Sequence, residues 1–127
     1  MFQLDVKSRK SIYEQVVDNL KELIVSGVLK EDDKLPSVRE LSGQLTVNPN
    51  TVQKAYRELE RQGYVYTTSG LGTFVAGSME RKVDEHKIAE VLNSIRVCIR
   101  ELNYLGLPKK DAQNEVTKLF DERRDWK

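Results

Sequence analysis

Residues 37–62 read SVRELSGQLTVNPNTVQKAYRELERQ, and two helix starts lie within that stretch. Ser37-Val38-Arg39-Glu40 has the Ser-x-x-Glu spacing of a capping box, in which Ser37 accepts from the Glu40 N–H while Glu40 reaches back. Asn48-Pro49 marks the second start, with Asn48 as cap and Pro49 at the first helical position, where a missing N–H costs nothing. Thr46 leaves room only for a very short turn between the helices, and Val47 and Val52 are spaced to close a hydrophobic staple. Val38, Leu41 and Leu45 give the first helix an inward stripe. Val52, Ala55, Tyr56 and Leu59 give the second one the same, at i, i+3, i+4 and i+7. At about 100° per residue, Asn50, Lys54, Arg57 and Arg61 fall on the opposite side, flanked by Thr51 and Gln53. Two capped helices joined this tightly predict a helix-turn-helix. The amide, hydroxyl and cationic groups of the bare side suit a recognition helix in a DNA major groove. An ordinary solvated face is the competing reading.

The flanks fit that centre. Residues 11–27 predict a helix capped by Ser11 or Ser8, with Ile12, Val16, Leu20, Leu23 and Ile24 inward, Tyr13 and Val17 beside them, and Gly27 at the end. Lys30 to Lys34 reads as a polar turn whose Glu31-Asp32-Asp33 triplet is solvated rather than metal-binding. After Gly63 the period becomes extended: Tyr64–Thr67 and Thr73–Ala76 predict a hairpin, with Ser69-Gly70-Leu71-Gly72 between its strands. Beside a helix-turn-helix such a hairpin is a wing. Ser69, Gly70 and Gly72 at its tip let the backbone approach a phosphate or minor groove, and the glycines also serve turn geometry.

From Met79 onward the pattern changes. Ile88, Val91, Ile95, Cys98, Leu102 and Leu105 follow alternating three- and four-residue steps, widened by Leu92 and Ile99. Gly106 stops that helix and Pro108 starts another, with Ala112, Val116, Leu119 and Phe120 on one face. Two helices in a segment of ~40 residues do not enclose a core alone. A second copy of the hairpin is the expected cover, which makes Ile88, Val91, Ile95, Cys98, Leu102, Leu105, Val116 and Phe120 the expected dimer interface. A hairpin spent this way leaves little enclosed space for a small effector. The expected architecture is therefore mainly α with a small β-hairpin. A winged helix-turn-helix occupies residues 1–78, and a two-helix dimerisation hairpin occupies 79–127.

Composition narrows the classes. The chain has 127 residues, 39% hydrophobic and 32% charged, which suits a soluble domain with an appendage. No apolar run approaches the ~20 residues that span a bilayer, so no membrane association is expected. The single cysteine, Cys98, excludes an internal disulfide and points to a cytoplasmic protein. A net charge of +1 argues neither for nor against a polyanionic partner; between Lys34 and Ala76 five cations face three carboxylates. His86 and Cys98 lack the third group and the pocket that nucleophilic catalysis needs. No enzyme, cofactor or metal is expected. Trp126 is expected as a frayed end or an anchor against a partner subunit.

Ile12-Tyr13-x-Gln15, Leu35-Pro36-Ser37-x-Arg39-x-Leu41, Val47-Asn48-x-Asn50-Thr51-Val52, Ala55-Tyr56-x-x-Leu59, Gly63-Tyr64 and Gly70-x-Gly72-Thr73-Phe74-Val75 occur in that order. Together they resemble the GntR family of bacterial transcription regulators over roughly residues 10–77, and the short C-terminal part resembles its YtrA-type branch. The resemblance implies a homodimer on a palindromic double-stranded operator, often in the control of transporter operons. It implies DNA contacts for Ser37, Arg39, Asn48, Asn50, Thr51 and Gln53, with Gly70 and Gly72 at the wing. Better-known members carry arginine at the positions of Pro49 and Gln53, where they read guanine. Here Gln53 suits adenine, and Lys54 or Arg57 suits phosphate or guanine. A winged helix that docks a protein instead of DNA is the alternative, favoured by the near-neutral charge. The family's fusions to an aminotransferase-like domain need far more chain than this.

Overall fold

The structure is a computed structural model describing residues 2–123 and Trp126. Helix α1 (Ile12–Val25) begins at a complete capping box, with the Glu14 N–H donating to Ser11 Oγ at 3.2 Å and the Ser11 N–H to the Glu14 carboxylate at 3.3 Å. Helix α2 (Val38–Leu45) repeats the device with Ser37 and Glu40, at 3.0 and 3.1 Å. Both boxes satisfy donors that a helix start otherwise leaves orphaned. Helix α3 (Pro49–Arg61) begins differently: Pro49 opens it and Asn48 Oδ1 accepts from the Asn50 N–H at 2.8 Å. Thr46 makes the turn between α2 and α3 in the left-handed region, φ 55°, a conformation that β-branched residues rarely hold.

The apolar stripes converge. Val16, Val17, Leu20 and Ile24 of α1 meet Leu41 of α2 and Val52, Ala55, Tyr56 and Leu59 of α3, with Leu35, Val65 and Val75 closing the cluster. Val38, Leu45 and Val47 pack on its edge, as do Phe2 and Leu4 from the segment before α1.

The wing consists of β1 (Val65–Thr68) and β2 (Gly72–Val75), antiparallel, with Val65 opposite Val75 and Thr68 opposite Gly72. Both strands sit one residue away from their expected positions. Tyr64 is taken by the end of α3, where its N–H donates to the Leu59 carbonyl and the Gly63 N–H to that of Glu60; this is a Schellman ending with Gly63 at φ 84°. The expected polar turn at residues 30–34 proves to be pairing backbone. Asp32 N–H donates to Val75 O, Val75 N–H to Asp33 O, and Leu35 N–H to Thr73 O, so this segment lines the outer edge of β2. The acidic triplet is divided among tasks: Asp33 accepts the Lys30 N–H and Asp32 accepts the Tyr66 hydroxyl.

The chain forms two compact units, Met1–Lys82 and Val83–Lys127. The sequence reading ends the first domain at residue 78. Residues 79–82 fold back instead onto the end of α3. A short 3-10 turn (Ser78–Glu80) places the Glu80 carbonyl over Gly63, Lys82 N–H donates to Gln62 O, and the Arg81 guanidinium stands 4.9 Å from the Tyr64 ring centroid. Lys21 of α1 approaches the same ring at 5.2 Å.

The second unit is a hairpin of α4 (Glu85–Tyr104), capped by Asp84, and α5 (Lys109–Asp121), preceded by Pro108. None of its described residues is buried. Ile99, Leu102, Leu107, Ala112 and Val116 line a groove of about 770 Å³ within the hairpin.

A methyl group on Gly63 meets the Glu80 carbonyl at 1.9 Å, whereas one on Gly70 (φ 76°) meets nothing within 4 Å. Gly63→Ala is therefore expected to cost about 2–4 kcal/mol, from backbone strain plus overpacking. Gly70→Ala should cost about 1 kcal/mol, from strain alone. Urea unfolding of both variants checks the difference; equal losses would refute the steric account.

Candidate nucleic-acid interface

The buried side of α3 fixes how its other side is presented. Val52, Ala55 and Leu59 are wholly enclosed, and the Tyr56 hydroxyl donates to the Pro36 carbonyl at 2.6 Å, tying the middle of α3 to the start of α2. Burial pushes the Tyr56 phenol well above its ordinary range, so it remains a donor. The bare side then carries Asn50, Gln53, Lys54, Arg57, Glu60 and Arg61, all exposed, with Thr51 and Glu58 half-buried at its edge.

These side chains are not equally available. Arg61 holds Glu58 in a two-pronged pair, Nε to Oε1 at 2.9 Å and a terminal nitrogen to Oε2 at 2.5 Å. The Gln62 amide donates to the same carboxylate. The Arg61 hydrogen bond is the largest influence on Glu58 and outweighs burial, holding its carboxyl down at about 2. Lys54, placed by sequence among the DNA contacts, has its ammonium 4.3 Å from the Tyr13 ring centroid of α1, a cation–π arrangement. Sequence reasoning assigned Tyr13 to the core flank and missed this contact. Arg39, Asn50, Gln53 and Arg57 differ: their side chains are exposed and make no hydrogen bond or ion pair among the described residues.

Ser37 and Asn48 also stand exposed, but each lends its side-chain oxygen to a cap. The Ser37 hydrogen bonds in turn hold the Glu40 carboxyl below its usual range. Pro49 is exposed at the first position of α3. At the wing, the Leu71 N–H donates to Thr68 O and closes a turn with Gly70 at its third position, where a positive φ is required. Ser69, Gly70 and Leu71 make the tip. Gly72 does not share it: it is the first residue of β2, and the Lys34 side chain fills the place of its missing Cβ. Tyr66 stacks on Phe74 at 5.6 Å, and the Thr67 hydroxyl donates to Glu60 at 3.2 Å, so the wing is fastened to α3.

In the second unit, Ile88, Val91, Leu92, Ile95 and Ile99 are each about half exposed, and Cys98 is exposed with them. Leu102 and Val116 face the groove inside the hairpin. Leu105 lies just past the last residue of α4 and is 81% exposed. Phe120 stacks on Trp126 at 5.4 Å, so the expected loose end has an intrachain contact. His86 lies 3.2 Å from Glu90, one helical turn away.

Residues 12–75 match the family model described as bacterial regulatory proteins, gntR family. The HTH-type transcriptional repressor YtrA of Bacillus subtilis (strain 168) is 41% identical over 107 residues, covering 84% of this chain and 82% of that protein. The crystal structure of a transcriptional antiterminator from Listeria monocytogenes EGD-e superposes with a TM-score of 0.76 and 42% identity, over 98% of this chain and 90% of that one. The AraR DNA-binding domain, solved in complex with operator ORE1, superposes with a TM-score of 0.53 and 34% identity, over 60% of this chain and 93% of that one.

Two stability predictions follow from the α3 contacts. Tyr56→Phe is expected to lower unfolding free energy by about 1 kcal/mol, the net worth of one hydrogen bond; an unchanged urea midpoint would remove the Pro36 tie. Glu58 titrates below its ordinary 4.5, so its contribution is complete above that pH and is lost as pH falls towards about 2. Glu58→Gln should lower the thermal midpoint at pH 7, with the gap to the parent protein closing between pH 4.5 and 2. A gap independent of pH would contradict the ion-pair origin.

Proposed function

Since the chain belongs to the GntR family, as a DNA-binding transcription regulator of the YtrA type, we propose that it is a repressor acting as a homodimer on an inverted-repeat operator. The observation that carries this reading is the set of uncommitted polar groups on one surface: Arg39 at the start of α2 and Asn50, Gln53 and Arg57 on α3. Donors and acceptors left to water lose little when base edges and phosphates replace it. Gln53 has the amide geometry for adenine. Arg57 and Arg39 have the fork that fits guanine or a phosphate. Neither Pro49 nor Gln53 makes the arginine–guanine contact of better-known relatives, so the operator differs from theirs. Backbone amides at Ser69 and Gly70 reach the flanking strand.

Dimerisation rests on the apolar face of α4. Its 20 residues run for about 30 Å, and Ile88, Val91, Ile95 and Ile99 recur along it half exposed. A helix pair with no buried residue gains most of its stability from a partner. A twofold assembly places two recognition helices about one turn of duplex (~34 Å) apart. Repression then responds to any ligand that changes this spacing with a few kcal/mol of differential binding.

Arg39→Ala is expected to weaken operator binding by about 1–3 kcal/mol with an unchanged thermal midpoint; unchanged affinity would remove Arg39 from the interface. Ile95→Glu tests the dimer more cleanly than a change at Leu102, which also lines the groove inside the hairpin. Sedimentation should show monomers that bind isolated half-sites poorly, and a persistent dimer would place the contact elsewhere.

A further inference from the structure

The turn before α1 is held with unusual care for an exposed segment. Gln15, buried among apolar neighbours, accepts the Asp5 N–H at 2.7 Å and donates its own amide to the carbonyls of Asp5, at 2.8 Å, and Lys10, at 3.0 Å. One side chain therefore satisfies three backbone groups and fixes both ends of the loop between them. A buried amide serving so many partners is costly to leave unmatched, so the loop has one conformation. Asn19 extends the hold by donating to the Gln3 carbonyl. Within the loop, Asp5 Oδ1 accepts the Lys7 N–H and Ser8 Oγ accepts the Lys10 N–H.

This loop presents cations. The Lys10 ammonium is spent on Asp18, at 2.6 Å, and the Glu14 carboxylate is occupied by the Ser11 cap. Lys7 and Arg9 are exposed, and their side chains have no partner among the described residues.

Two contacts give the loop's position relative to α3. Tyr13 near the start of α1 meets Lys54, and Lys21 eight residues later meets Tyr64, just beyond the end of α3. Helices α1 and α3 therefore run in the same sense, and the start of α1 points the same way as the start of α3. Asn50 and Thr51 lie one turn before Lys54, and the loop of residues 5–10 lies about one turn before Tyr13. The loop thus continues the surface of the recognition helix on its α1 flank, away from the wing.

We propose that Lys7 and Arg9 form a second phosphate-binding element, held in register by Gln15, that grips the duplex backbone on the side of α3 opposite the wing. The proposal rests on α3 occupying a major groove. Given that, a rigid cationic loop level with its first turn meets the backbone bordering that groove, and its cations displace counterions there without reading sequence.

The test measures full-chain affinity against salt concentration on two duplexes of about 30 base pairs, long enough for half-sites one turn apart. One is the best binder selected from a randomised pool; the other is of unrelated sequence. Lys7→Ala with Arg9→Ala should flatten the slope of log affinity against log salt by about 1.8, or 0.9 for each lost phosphate contact, equally on both duplexes. The charge-keeping pair Lys7→Arg with Arg9→Lys should keep the parent slope. An unaltered slope in the alanine pair, alongside a flattened one in Arg57→Ala, would overturn the loop proposal and leave DNA binding standing. A parent protein whose DNA affinity ignores salt would overturn both. Loss confined to the selected duplex would also overturn the proposal, since it would mean base reading rather than a backbone grip.

Discussion

The rotation of α3 about its own axis is the quantity on which the rest depends, and the packing of α1 fixes it. Val52, Ala55 and Leu59 have no exposed surface, and they meet Val16, Val17 and Leu20 across the interface. Fully burying a side chain of this kind is worth about 1.5–3 kcal/mol. Rolling α3 by one residue, about 100°, would bring polar groups into that contact and expose apolar ones. The same packing therefore turns Asn50, Gln53 and Arg57 outward together. Tyr56 adds a directional restraint, because its hydroxyl must reach one carbonyl at Pro36. Recognition geometry and core stability share one cause here.

What could be read from the sequence was local. Capping boxes, a proline start and 3.6-residue stripes each involve residues a few positions apart, and they placed all five helices. The strands shifted by one residue because the end of α3 and the start of β1 compete for Tyr64, and the helix ending won. Pairing of residues 32–35 with β2 had no local signal: the segment is charged, and its partner lies about 40 residues away. Lys54 and Arg61 looked equivalent to Arg57 on the helical wheel. Only the arrival of Tyr13 and the position of Glu58 separate them.

The modest net charge also takes on a different sense once the partners are known. Several cations of the first unit are neutralised internally or stacked on rings: Lys10 by Asp18, Arg61 by Glu58, and Lys54, Lys21 and Arg81 on tyrosines. The cations left to solvent around α3 are few and well placed. A small number of phosphate contacts gives limited non-specific affinity, which leaves more of the discrimination to base-reading groups such as Gln53.

The clasp of residues 79–82 on the end of α3 bears on how a signal travels along the chain. Lys82 is hydrogen-bonded to Gln62, and the cap of α4 is already Asp84. Only Val83 and the cap itself lie between a fixed point on the reading head and the first turn of the next helix, a leash of about 7 Å. Torque on α4 thus has almost no slack to dissipate in, and it arrives at the trailing end of the recognition helix before it can reach the wing.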